Sequence, residues 1–180
     1  MTGRVAEGWP VLMMMPGSEP LASLRAEAER FLSGQQAVST GTRRRLMGAL
    51  AEEGLLAVAE RLAERLPEVC LPAGRMLLLV DQFEEVFTQC AAEKRDEFVQ
   101  SLVSVGKAQT PLSVVMTMRS DFINEWLETG QPSGVMDDDS VHLGALQGEN
   151  LRAAIVEPAR MQGYEIEPAL LNLLLGDVKA

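Results

Sequence analysis

The chain has 180 residues, 47% of them apolar, and a formal charge of −10 with an isoelectric point near 4.6. That length and apolar fraction suit one folded domain with a real core and exclude a disordered chain. The acidic balance excludes a dedicated nucleic-acid binder, because phosphate contacts need a basic surface.

The first apolar run, Val11-Leu12-Met13-Met14-Met15, reads as a short buried strand, with its methionines filling core space. It is too short for a signal core or a membrane span. Pro16-Gly17 then turns the chain. Pro20 to Leu32 places Leu21, Leu24, Ala28, Phe31 and Leu32 on one helical face. Gly34 to Gly41 is a polar break. Arg43-Arg44-Arg45, the one basic run, reads as a solvated helix start. Thr42 to Leu66 carries Leu46, Leu50, Leu55, Leu56, Ala59, Leu62 and Leu66, which predicts one long amphipathic helix or two shorter ones. Gly54 weakens its middle by about 1 kcal/mol relative to alanine. Pro67 is expected to end it.

Met76-Leu77-Leu78-Leu79-Val80 is the second strand. Its unbroken apolar character predicts burial on both faces, as in a parallel sheet covered by helices. It runs straight into Asp81-Gln82-Phe83-Glu84-Glu85. Asp81 is thereby expected at the carboxyl edge of the strand, where open α/β sheets bind ligands. In nucleotide hydrolases this is the Walker B arrangement, whose aspartate holds the magnesium of a bound triphosphate. The partner motif, a phosphate loop Gly-x-x-x-x-Gly-Lys-Ser/Thr, does not occur in these 180 residues.

Glu93 to Lys107 reads as an amphipathic helix with Phe98, Leu102 and Val105 inward. Pro111 precedes a third strand, Leu112 to Met118, that ends at Arg119-Ser120-Asp121. Phe122 to Glu128 is a short helix. Gly130 to Ser140 is a loop whose run Asp137-Asp138-Asp139 reads as solvated. Val141-His142-Leu143 is expected to form a brief fourth strand. Gly148-Glu149-Asn150 offers a cap for a helix from Leu151 to Arg160 that Pro158 ends or bends. Pro168 opens a last helix with Leu170, Leu171, Leu174 and Leu175 on its apolar face, and Gly176 stops it. Alternating strands and helices imply an α/β architecture with a parallel sheet. Cys70 and Cys90 have no metal spacing, and so few cysteines without a secretory signal point to reduced thiols in a cytoplasm. His142 has no ligand partner for a metal, and Trp9 and Trp126 read as packing residues.

In their order these pieces resemble the STAND class of P-loop NTPases, relatives of AAA+ proteins, and within it the novel STAND group often joined to WD-repeat propellers. The resemblance spans nearly the whole chain. It rests on Pro16-Gly17-Ser18-Glu19-Pro20-Leu21, on Leu79-Val80-Asp81-Gln82-Phe83-Glu84-Glu85-Val86-Phe87-Thr88, and on Thr117-Met118-Arg119-Ser120-Asp121-Phe122. It continues through Ala153-Ala154-Ile155-Val156-Glu157-Pro158-Ala159-Arg160 and Gly163-Tyr164-Glu165-Ile166-Glu167. It implies a partial P-loop NTPase fold: a three-layer parallel sheet over residues 1–147 without its phosphate loop, then the start of a helical subdomain over 148–180. It also implies that Met1 to Ala180 is an internal piece of a longer protein. The strand that leads into the phosphate loop is central in this class, so its absence is expected to leave two unpaired strand edges, an aggregation hazard.

The resemblance assigns roles. Asp81 is the expected Mg2+ residue, acting through water. Glu84, by the spacing Asp-x-x-Glu-Glu, is the first candidate to orient the attacking water, and Glu85 the second. A general base needs hydrogen-bond reach to that water. The plainer reading is that both glutamates favour a helix amino terminus, where negative charge is stabilised by about 0.3–1 kcal/mol. Arg119 stands where STAND relatives sense the terminal phosphate, a task suited to a planar guanidinium. Its plainer reading is an ion pair with Asp121 or a neighbouring glutamate.

The implied parent is a cytoplasmic signalling switch that binds ATP and Mg2+, hydrolyses ATP slowly and self-associates in the ATP state. Such proteins serve regulation or defence, with an effector domain upstream and a WD-repeat propeller downstream. The alternative is a non-catalytic scaffold or interaction module derived from such an NTPase. A free-standing metal hydrolase site at Asp81, Glu84 and Glu85 is the weakest reading, since hydrolytic metals usually take histidine ligands as well.

Overall fold

The structure is a computed structural model that describes residues 9–34, 38–69, 75–108, 110–130 and 140–178. The chain divides into two compact units, Met1–Asp138 and Asp139–Ala180. Cys70 and the run Asp137-Asp138-Asp139 lie outside the described residues.

Three parallel strands form the sheet of the first unit: β1 (Val11–Met14), β2 (Met76–Val80) and β3 (Leu112–Met116). They lie in the order β1-β2-β3, with Met14 beside Val80 and Val80 beside Met116. β2 is central because nearly all of its side chains are apolar and buried. β1 differs from the expectation of a fully buried strand. Leu12 and Met14 are buried, whereas Met13 and Met15 are 52% and 53% exposed. Side chains alternate across a strand, and in β1 the helices meet the face that carries Leu12 and Met14, beside Leu78 and Val80.

Those helices are α1 (Pro20–Gly34), α2 (Thr40–Glu52), α3 (Leu55–Val69) and α5 (Ala92–Lys107). A single-turn helix α4 (Glu85–Thr88) follows β2. α1 packs on β1, α2 and α5, while α3 packs on α2 and α5. Leu24, Leu46, Leu62, Phe98 and Leu102 meet the sheet in one core.

The 42–66 segment is two helices. Gly54 separates them at φ +87°, and both Glu53 N and Gly54 N donate to the Ala49 carbonyl. This is a left-handed helix cap, which glycine adopts without steric cost. α2 starts earlier than expected because the Ser39 side chain accepts the Thr42 amide at 3.0 Å. The basic run is not uniformly solvated. Arg44 and Arg45 are exposed, but Arg43 is half-buried and donates through Nη2 to the Leu32 carbonyl at the end of α1, 3.0 Å away. Pro67 does not end α3, which reaches Val69.

β3 leads through a single 3-10 turn, Ser120–Phe122, into α6 (Ile123–Glu128). Trp126 is buried, and Trp9 lies under the Arg75 guanidinium, 5.6 Å from the ring centre.

In the second unit, α7 (Gly148–Met161) and α8 (Pro168–Asp177) pack on one another. Pro158 lies inside α7 without ending it. Leu171 is buried, whereas Leu170 and Leu174 remain exposed. The expected fourth strand is absent: residues 141–143 make no backbone ladder, and Val141 and Leu143 are 83% and 91% exposed. A brief apolar run becomes a strand only when another backbone pairs with it. No helix among the described residues is long and apolar enough to cross a membrane.

Two glycines of the helical layer give opposite expectations. Gly54→Ala destabilises the fold by about 1 kcal/mol, because alanine is strained at positive φ. Gly48→Ala, in the interior of α2 with open space around its Cα, stabilises it by about 0.5–1 kcal/mol. Urea unfolding of both variants checks the signs. Burial pushes the Cys90 thiol up, and the Glu19 carboxylate adds to this. The thiolate is the reactive form. Cys90 is therefore expected to alkylate more slowly than a free cysteine at neutral pH and to catch up as pH rises, as followed by mass spectrometry of its peptide.

Candidate functional site

The site grows from the carboxyl ends of β2 and β3. β2 delivers Asp81 one residue beyond its last paired position. The Asp81 amide donates to the Met14 carbonyl at 2.8 Å, so the backbone here is still tied to β1. The carboxylate is held from the other side, where Thr117 Oγ1 donates to Asp81 Oδ1 at 2.5 Å.

The next residue, Gln82, has φ +52°, an unusual value for a side chain with a Cβ. Such a conformation costs about 1–2 kcal/mol. It persists because the turn is fastened on both sides. Gln82 N donates to Thr117 Oγ1 at 3.1 Å, and Phe83 N donates to the Thr117 carbonyl at 2.9 Å. Phe83 is then buried among Phe87, Phe98 and Trp126, with ring centres 5.5 to 6.4 Å away.

Glu84 and Glu85 stand at the start of α4. They are not equivalent. Glu85 Oε2 accepts the Gly17 amide at 2.9 Å and so ties the turn after β1 to the acidic segment. Gly17 itself sits at φ +59°, a conformation suited to glycine. Glu84 Oε2 is buried without a hydrogen-bond partner among the described residues. A carboxylate oxygen in that state is short of a donor, which a water or a ligand would supply.

Arg119 follows β3 and precedes the 3-10 turn. Its Nε and Nη2 both donate to the Asp121 carboxylate, at 3.1 and 2.7 Å. The guanidinium also lies 5.9 Å from the centre of the Phe122 ring, and Phe122 stacks on Phe87. The pair is open to solvent, with side chains 68% and 57% exposed. The hydrogen bonds of Arg119 thus run to Asp121, and none reaches Asp81, Glu84 or Glu85.

Asp81, Glu84 and Glu85 therefore share one turn, and β3 runs beside it toward Arg119. No group of three or more His, Cys, Asp or Glu residues that could hold a metal occurs among the described residues. This donor set does not form a protein cage for a cation. It suits Mg2+, which takes one or two carboxylates and completes its shell with waters and phosphate oxygens.

Thr117 is the residue that sequence reasoning did not single out. Its signal is a hydroxyl residue at the end of one parallel strand, in the same register row as the acidic residue that ends the next. Gln82 carried no signal at all, since its strain follows from the packing of Phe83.

No curated protein and no solved structure matches the chain. The family model described as Novel STAND NTPase 1 matches residues 2–180. With the parallel sheet and the acidic strand end in place, the chain belongs to the Novel STAND NTPase 1 family.

Proposed function

We propose that this chain is part of an ATP-dependent signalling switch. Asp81 serves the Mg2+ of bound ATP, Arg119 answers to the terminal phosphate, and Glu84 orients the attacking water. One observation carries the reading. Asp81 closes the central strand of a parallel sheet with both its backbone and its carboxylate held, as a residue serving a cation at a fixed point would be. Membership of a STAND NTPase family supports it. Bound Mg2+ would bridge phosphate oxygens and neutralise charge there. The protein's part is to orient a carboxylate (Asp81), to offer an underused carboxylate oxygen (Glu84 Oε2) and to present a planar cation (Arg119).

Arg119 begins from an internal pair, so a phosphate has to exchange with Asp121 for the guanidinium. Exposed pairs of this kind contribute little, about 0.2–1 kcal/mol, which keeps the exchange open. On this reading the partners are domains of the same protein, an effector upstream and a WD-repeat propeller downstream, with self-association in the ATP state. The setting is cytoplasmic regulation or defence.

A second reading, a non-catalytic interaction module, draws on the same contacts. Glu85 is engaged by Gly17, Arg119 by Asp121 and Asp81 by Thr117, so three of the four candidate residues already have side-chain partners within the fold.

ATP turnover by the protein expressed from its natural reading frame separates the two. The switch reading expects Mg2+-dependent turnover that falls on the order of 100-fold in Asp81→Asn. Arg119→Ala is expected to raise KM for ATP about tenfold. Asp121→Asn, which frees the arginine, tightens ATP binding by at most about fivefold. Turnover that is absent, or indifferent to Asp81, favours the module. The 180-residue chain by itself is expected to be a poor ATPase. Phosphate-loop amides and a lysine supply much of phosphate binding, and no such motif occurs in it. Saturable Mg-ATP binding with Asp81-dependent turnover by this chain would overturn that expectation.

A further inference from the structure

We infer that Thr117 is a positioning residue that clamps the Asp81 carboxylate and leaves Oδ2 as its freer oxygen. Four hydrogen bonds meet at this threonine. Its amide donates to the Val80 carbonyl at 3.0 Å, and its carbonyl accepts the Phe83 amide at 2.9 Å. Its hydroxyl accepts the Gln82 amide at 3.1 Å and donates to Asp81 Oδ1 at 2.5 Å. The roles at the hydroxyl are unambiguous. An amide N–H can only donate and an ionised carboxylate can only accept, so the single hydroxyl proton is committed to Asp81.

The choice of threonine has a physical consequence. A β-branched side chain is stiff at χ1. The position of Oγ1 is therefore set by the backbone of the β3 exit, which is itself locked to Val80 and Phe83. Asp81 is held by a strand other than its own. Oδ1 is occupied, while Oδ2 has no protein partner among the described residues. Oδ1 has spent one of its two lone-pair positions on the hydroxyl, so Oδ2 is the freer oxygen for a cation and ligation through one oxygen is favoured. Mg2+ accepts that arrangement within its octahedral shell, whereas Ca2+ commonly takes both oxygens. The chain runs on from Thr117 to Arg119 between β3 and the 3-10 turn, so one short segment supplies both the clamp and the arginine. The role in cation binding rests on the switch reading given above; the clamp on Asp81 does not.

Two variants separate shape from hydrogen bonding. Thr117→Val keeps the branched shape and loses the hydroxyl, while Thr117→Ser keeps the hydroxyl. In the 180-residue chain, NMR three-bond couplings to Asp81 Cγ report its χ1 rotamer. A single rotamer is expected in the wild type, averaging in Thr117→Val, and a single rotamer again in Thr117→Ser. Averaging in the wild type, or one rotamer in all three proteins, overturns the clamp. In the protein from its natural reading frame, the Mg2+ concentration for half-maximal ATP turnover is expected to rise about tenfold in Thr117→Val and to recover in Thr117→Ser. Unchanged Mg2+ dependence in Thr117→Val, with Asp81→Asn inactive, overturns the role in cation binding. If Asp81→Asn turns over ATP like the wild type, the switch reading itself fails, and the rotamer measurement alone then decides the clamp.

Discussion

The burial of Phe83 shapes the whole end of the sheet. Val80 points into the helix-covered core. Were the chain to continue as a strand, alternation would send Gln82 inward and Phe83 outward. Phe83 instead enters the same core as Val80, among Phe98 and Trp126. The chain can do this only by breaking the strand period, and Gln82 does so at φ +52°. The conformational cost is offset by burial of a large ring, on the order of 1.5–3 kcal/mol. Asp81 is thus the last residue that the strand geometry governs, and it stands where the backbone turns away.

The same aromatic cluster reaches the cationic side of the site. Phe83 contacts Phe87 edge to face, Phe87 stacks on Phe122, and Arg119 lies over Phe122. The acidic turn and the arginine are therefore joined through side chains as well as through the ladder between β2 and β3. Thr117 completes the join by hydrogen bonding. Its carbonyl receives the Phe83 amide and its hydroxyl the Gln82 amide, so the strained residue is secured by the strand that leads to Arg119.

Much of the architecture was legible from local pattern. β2 announced itself by its unbroken apolar run, and α5 by the spacing of Phe98, Leu102 and Val105. Asp81 was legible because an acidic residue directly after a buried strand is chemically conspicuous. Other features misled for physical reasons. The run from Val11 to Met15 is apolar throughout, so its residues cannot reveal that one face of the strand is uncovered. Pro67 and Pro158 looked like terminators, yet each is tolerated within a helix. Arg43 looked like its two neighbours until the end of α1 came within reach of its guanidinium.

What the sequence by itself determined is the order of the elements and the chemistry available at their ends. Those are local properties, written in residues a few positions apart. It also carried a family signature across nearly its whole length. Only the tertiary structure decided the strand order, the different environments of Glu84 and Glu85, the pairing of Arg119 with Asp121, and the contacts of Thr117. Glu85 meets Gly17 across 68 positions, and Thr117 meets Asp81 across 36. Contacts of that span depend on how the strands align and which face the helices cover, and no local periodicity encodes either.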